Sequence, residues 1–310
     1  MSVTELSEPH HYGPNAFGND VRRFWNLTFT LAVTDYKLTY FGSVLGYVWS
    51  LMRPLLFFGV LYGVFTFIFH VGKGVPNYSV ELLVAIILWT FFLQATAGCV
   101  QCMLAREGML RKMRFPRLVI PLAVTLTALF QLVTNLVPIF GLALASNITP
   151  KWAWLELIPI IVALAILALG IGMILSVLYI RFRDIQPIWD ITAQILFYAA
   201  PIIYPIFDYN HGVLNYYNAS GALCSPANVP CTNNFTLHTV GRIAMSNPIA
   251  SLIAQARHAL VGGLDSVNPS ASFALGGWVH VLIPLGIIVA VFAFGLWFFN
   301  REAPRISENL

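Results

Sequence analysis

Of 310 residues, 58% are hydrophobic and only 10% are charged, and the mean hydropathy is +0.75. A soluble domain carries about 25% charged residues, so this chain lacks the groups needed to cover a water-facing surface. The formal net charge of +4 is too small to point to nucleic acid, and no such partner is expected.

Taken in chain order, residues 1–19 read as a flexible tail, with Pro9, His10, His11, Gly13 and Pro14 breaking any periodicity. No short apolar core followed by a small-residue cleavage site precedes the first apolar run, so that run is expected to act as its own insertion signal. Residues 20–42 read as an amphipathic helix. Val21, Trp25, Phe29, Ala32 and Tyr36 share one face, with Phe24 and Leu31 beside it, while Arg22, Asn26, Thr30, Thr34 and Lys37 share another. Such a helix suits the membrane interface, with Arg22, Arg23 and Lys37 at the headgroups and Trp25 at the boundary. An ordinary helix packed on a soluble domain is the alternative, but no soluble domain large enough is apparent.

Six spans follow, at about 44–69, 80–103, 118–146, 153–180, 188–207 and 277–300, within a transmembrane domain over 44–300. Leu82 to Ala105, Leu118 to Pro150, Leu157 to Ile180 and Ser266 to Asn300 contain no Asp, Glu, Lys or Arg. Each exceeds the roughly 20 residues of helix that cross a hydrocarbon core. The expected fold class is therefore all-α integral membrane.

In span one, Tyr47, Phe58, Tyr62, Phe65 and Phe69 recur at helical spacing. In span five, Asp190, Gln194, Phe197, Pro201 and Tyr204 form a second stripe, too polar for lipid contact. Polar groups at membrane depth face a bundle interior or an aqueous path, so the stripe is expected to line a path. Aromatic rings beside polar atoms would suit a carbohydrate; helix packing and interfacial belts are the plainer explanation of any single ring. Arg53 is expected near the end of span one, snorkelling to the interface. Pro138, Pro159, Pro201, Pro205 and Pro284 fall in or near spans and are expected to kink or end helices.

Thirteen of the seventeen Lys and Arg residues fall before span one, in the 103–117 and 181–187 loops, in Arg53, or after residue 300. Lys73, Lys151, Arg242 and Arg257 fall on the opposite side, which predicts both termini in the cytoplasm. The 208–275 segment is then external, and 301–310 is a cytoplasmic tail. Cys224 and Cys231 would lie in an oxidising compartment and are expected to form a disulfide, worth about 2.5 kcal/mol on chain-entropy grounds. Cys99 and Cys102 read as ordinary buried thiols.

The chain carries no G-x-x-x-x-G-K-[ST], H-E-x-x-H or G-x-S-x-G, so it is not expected to be an enzyme, and no metal or cofactor site is expected in it. Intramembrane carboxylates, which coupled carriers use, reduce to Asp190 and Glu81. Any driving energy is expected from another protein. The 106–117 loop offers the contact. It sets Met109, Leu110, Met113 and Phe115 among Arg106, Glu107, Arg111, Lys112, Arg114 and Arg117, and Pro116 stops the segment. Apolar knobs on a polar rim mark a docking site.

"LRKMRFPRLVIPLA" at 110–123 resembles the loop before span three of ABC-2 type permeases that export polysaccharides. "DYKLTYFGSVLGYVWSLMRPLL" at 35–56, "RFRDIQPIWDITAQILFYAAPIIYP" at 181–205 and "NPIASLIAQARHALVGG" at 247–263 resemble the same family in the same order. The resemblance implies a six-span half-transporter in the bacterial cytoplasmic membrane. Two copies would pair as a homodimer with two ABC ATPase subunits, which bind ATP and Mg, and would pass a lipid-linked polysaccharide of O-antigen, galactan or teichoic-acid type. It further implies an interfacial helix near 20–40, a coupling helix near 106–116 that docks on the ATPase, and short external re-entrant helices near 247–263. Two departures stand out. The 207–246 link is long, and Arg53 occupies a position where an uncharged polar residue is expected. An exporter of a drug or small lipid is the alternative substrate reading, and a passive channel or scaffold is the alternative class.

Overall fold

The structure, a computed structural model, describes residues 21–40, 46–69, 77–112, 116–203, 245–262, 270–272 and 278–309. These form helices, with no strand among the described residues. The main elements are α1 (Val21–Tyr40), α2 (Gly46–Gly63, prolonged by a π turn over Val64–Ile68), α3 (Tyr78–Val100), α4 (Cys102–Ala105) and α5 (Glu107–Lys112). After them come α6 (Val119–Ala145), a 3-10 turn (Trp152–Glu156), α7 (Leu157–Arg181), α8 (Ile185–Ala199), α9 (Pro248–Val261) and α10 (Trp278–Asn309).

Five stretches are long and apolar enough to cross a membrane: Val48–Ile68, Tyr78–Val100, Val119–Ala145, Trp152–Arg181 and Val279–Glu302. The protein is thus a multi-pass membrane protein. The span expected at 188–207 corresponds to α8, which is 15 residues long, or about 22 Å at 1.5 Å per residue. Ala200 is extended at φ −88° and ψ 146°, as the residue before a proline prefers, and Pro201 has no N–H with which to continue the helix. Pro159 falls in the first turn of α7, where that N–H is not needed, whereas Pro138 lies inside α6.

The core is built around α3. After Glu81 this helix carries no charge and is apolar on every side, so it can be surrounded by protein without stranding a polar face. It packs against α2, α6, α7, α8 and α9. Of its apolar window 72% is buried within the protein, against 6% for α2, which lies at the edge of the bundle.

Small residues set the closest helix approaches. A Cβ on Gly170 would stand 2.9 Å from the Phe292 Cα, and one on Gly295 would overlap the Gly170 carbonyl. The α7–α10 crossing therefore depends on two glycines, as close packing in lipid often does. A Cβ on Gly172 would meet the Cys99 Sγ at 2.8 Å, which fixes α7 against α3. Cys99 and Cys102 are buried free thiols, as expected; Cys224 and Cys231 lie outside the described residues.

The helix α1 packs on α6. Its buried positions are Phe24, Thr28 and Ala32, one turn apart. The Thr127 hydroxyl donates to the Ala32 carbonyl at 3.2 Å, the Tyr36 and Thr134 hydroxyls meet at 3.0 Å, and the Phe130 ring stands edge-on to both Phe29 and Tyr36. These contacts align α1 with the first half of α6. Val21 and Trp25 instead point outward beside the exposed Arg22, Arg23 and Lys37. The helix thus has two apolar stripes, and the one with the smaller residues packs because it allows the closer approach.

At the other end of the bundle α9 lies against α3 and α7. Asn247 caps it by accepting from the Ile249 N–H at 3.1 Å, Pro248 starts it, and Gly262 ends it at φ +66°, a left-handed angle that suits glycine. At 14 residues it is too short to cross a bilayer.

Candidate functional site

A cavity of about 1070 Å³ opens between α2, α3, α6 and α8. Its size matches the upper end of ligand pockets, about 300–1,000 Å³. From α2 it is lined by Trp49, Ser50, Arg53, Pro54 and Phe57, and from α3 by Trp89, Thr90, Leu93 and Gln94. Gln131 and Asn135 enter from α6, while α8 supplies Asp190, Ala193, Gln194, Phe197 and Tyr198. The wall therefore combines four side-chain amides, one cation, one carboxylate and five aromatic rings. Trp89 and Phe197 stand edge to face at 5.6 Å, and Phe57 reaches Phe197 at 6.0 Å, so the rings form a continuous apolar flank.

Of the span-five stripe, Asp190, Gln194 and Phe197 line this cavity. Pro201 is buried past the end of α8 and does not reach it, and Tyr204 lies outside the described residues. The span-one stripe is placed elsewhere. Phe58, Tyr62, Phe65 and Phe69 do not line the cavity; Phe58, Tyr62 and Phe65 lean on the core, and Phe69 is exposed. Phe58 stacks on Tyr62 at 5.6 Å and Tyr62 on Tyr78 at 6.4 Å, while Phe65 stacks on Phe69 at 5.4 Å. The side chain of Tyr47 lies outside the description. The α2 face turned to the cavity is Trp49–Arg53–Phe57, at successive four-residue steps. Two aromatic faces exist on this helix, and ring periodicity alone does not choose between them.

Arg53 marks the choice. Expected near the end of span one and snorkelling, it is exposed and lines the cavity together with Asp190, and no ion pair joins the two among the described residues. Gln94, Gln131 and Asn135 were not anticipated either, although an amide inside an uncharged run is itself a signal of an inward face. Gln94 and Gln131 also line a smaller cavity of about 340 Å³, shared with Asp35 and Thr127.

At one end of the bundle, Glu107–Lys112 form a short helix within the 106–117 loop, and Met109 is exposed. Met113, Arg114 and Phe115 lie outside the described residues, as do the side chains of Leu110, Arg111 and Lys112. Pro116 and Arg117 are half-buried. Arg106, in the turn that starts this segment, pairs with Asp35 of α1. A bridge between Gln101 and Gln186 joins the end of α3 to the start of α8, and Arg181 pairs with Glu302 at 3.0 Å.

At the opposite end, Arg257 of α9 is 1% exposed. Its Nε donates to the Glu81 carbonyl at 3.2 Å and its Nη2 to the Ile202 carbonyl at 2.6 Å. The Tyr78 hydroxyl donates to the Ile203 carbonyl. Counted from sequence only for its side of the membrane, Arg257 is a buried pin that ties α9 to α3 and to the chain leaving α8. Among the described residues no cluster of His, Cys, Asp or Glu could hold a metal ion.

No family model matches the chain. Two proteins of Klebsiella pneumoniae, each named O-antigen export system permease protein RfbA, are 25% and 30% identical to it over 287 residues, which is 92% of this chain and 95% of each relative. A permease of the same name from Myxococcus xanthus is 28% identical over 188 residues, 60% of this chain and 71% of that protein. With 30% identity over 92% of its length and 95% of the relative's, the chain belongs to the family of O-antigen export permeases, membrane subunits of the ABC-2 type.

Proposed function

We propose that this chain is the membrane subunit of an ATP-driven exporter that carries a lipid-linked cell-surface polysaccharide out across the cytoplasmic membrane. The observation that carries this reading is the relation, over almost its whole length, to permeases of O-antigen export systems. The cavity is consistent with it. Amides offer both donors and acceptors to sugar hydroxyls, and the Trp89–Phe197 flank offers a surface on which a pyranose ring can stack.

The cavity is incomplete in one copy. Asp190, Gln194 and Arg53 are exposed on the α2–α8 flank, and charged groups at membrane depth are costly against lipid. A second copy set against this flank would cover them, so the path is formed by a homodimer. Both termini are cytoplasmic, following the distribution of Lys and Arg. The α5 segment, from Glu107 through Arg117, docks on a separate ABC ATPase, which binds the ATP and Mg. Closure of the ATPase pair displaces α5. The Arg106–Asp35 pair carries that displacement to α1, and α1 carries it to α6, whose Gln131 and Asn135 line the cavity.

Depleting the chain in its host should stop surface polysaccharide and accumulate lipid-linked glycan inside, as read by glycan gels of surface and membrane fractions. Unchanged surface glycan on depletion refutes the reading, and loss of drug or small-lipid efflux instead would favour the alternative substrate. Replacing Arg111, Lys112 and Arg114 by Glu, with Phe115→Ala, should prevent co-purification of the ATPase; undiminished assembly removes the docking assignment.

A further inference from the structure

We infer that Asn135, with Gln131 one turn before it and Gln94 facing from α3, forms a subsite in the cavity wall that takes a neutral, hydroxyl-bearing sugar residue of the passing glycan. This inference rests on the export reading above and names the chemistry of one part of that path.

The starting point is a single atom. Asn135 is 6% exposed, in the middle of a membrane-crossing helix, and its Oδ1 has no hydrogen-bond partner among the described residues. Helix interiors in lipid keep buried polar groups paired, because neither water nor lipid can substitute for a partner. The side chain is among those that line the cavity, with its Oδ1 covered in the single copy. The unpaired atom is an acceptor, so the group that completes it must bring a donor. A phosphate or carboxylate oxygen brings none, whereas a sugar hydroxyl brings an O–H and two lone pairs.

The neighbours fit the same ligand. Gln131 and Asn135 are four residues apart on α6 and so lie on one face, and Gln94 lies opposite on α3. Beside the amides stands the Trp89 ring, held edge-on by Phe197 at 5.6 Å. A pyranose has an apolar face and an equatorial rim of hydroxyls, and this wall offers a ring for the first and amides for the second. Gln94 and Gln131 also border the smaller cavity next to Asp35. The amides thus stand in the partition between the path and the α1 side, where the Arg106–Asp35 pair is anchored.

The test uses the full chain with its own ATPase in a depletion strain that makes its native glycan, complemented by Asn135→Leu, Asn135→Asp or Gln131→Leu. Asn135→Leu should lower the export rate roughly three- to tenfold, the range of one hydrogen bond, with glycan accumulating inside. The melting temperature of the purified Asn135→Leu protein should stay level or rise, since leucine removes an unpaired buried group. Asn135→Asp keeps an acceptor oxygen and should lose less export than Asn135→Leu, and Gln131→Leu should follow Asn135→Leu. Full export by both leucine variants overturns the subsite while leaving the export reading intact, provided depletion alone blocks export. A loss in Asn135→Leu matched by a lower melting temperature and an equal loss in Asn135→Asp overturns it too, because that pattern is structural. Export retained by Asn135→Leu but lost by Asn135→Asp would mean that the wall meets an anion, and would also overturn it.

Discussion

Replacing Arg257 by methionine removes the pin between α9 and the rest of the bundle while keeping most of the side-chain volume. The guanidinium is 1% exposed and donates at 3.2 Å to the Glu81 carbonyl and at 2.6 Å to the Ile202 carbonyl. Hydrogen bonds from a charged donor contribute about 1.5–3 kcal/mol each, and the substitution takes a donor from the Ile202 carbonyl past the end of α8 and the opposite charge from Glu81, itself only 2% exposed. Removing one partner of a buried charged arrangement costs about 3–5 kcal/mol, and the two hydrogen bonds alone reach the same figure. Arg257→Met should therefore lower the melting temperature of the detergent-purified protein by many degrees and open the α9 end to protease first. Arg257→Lys, which can reach one carbonyl but not both, should lose about half as much. The double variant Glu81→Gln with Arg257→Met should be less damaged than the two single effects added together, by about 0.5–3 kcal/mol. Melting within a degree of the parent for Arg257→Met, with unchanged protease sites, would refute the argument that this arginine holds α9 in place.

Gly295→Leu should prevent the α7–α10 crossing, because even its Cβ overlaps the Gly170 carbonyl; Gly286→Ala, on the same helix with nothing within 4 Å, should be neutral in fluorescence-detected gel filtration. Reversing one member of the Arg106–Asp35 pair (Asp35→Arg or Arg106→Asp) should uncouple ATP hydrolysis from export without preventing ATPase binding. Restoring opposite charges in the double reversal should recover part of the coupling, and identical coupling ratios in all three variants would exclude the pair from the relay.

Much of the fold can be read from where charges are missing. Leu82–Ala105 and Leu157–Ile180 carry none, and both became membrane-crossing helices because such runs have no stable alternative in lipid. The end of α8 was harder to place: hydropathy continues through Ile202 and Ile203, and only Pro201 marks the break. Within the site, Asp190 and Gln194 were legible because polar residues stand out against an apolar span. Trp49 and Phe57 were not, because α2 carries rings on two faces and the brighter stripe, Phe58–Tyr62–Phe65, packs on the core. Arg53 shares the Trp49–Phe57 face, and a charge within a span is the sequence signal that marks this face rather than the other. Arg257 reads from sequence only as a charge that counts toward topology, and nothing in its spacing signals the carbonyls of Glu81 and Ile202 to which it donates.

The glycine contact between α7 and α10 bears on how the protein is made. Gly170 and Gly295 are 125 positions apart in the chain, and synthesis runs from the N-terminus. Helix α7 therefore enters the bilayer with its groove facing lipid and waits there while α8, the 204–244 stretch and α9 are translated. Only the last helix can fill that groove. A ribosome that stops short of α10 leaves a bundle lacking its closing member, with a Gly-lined seam open along α7.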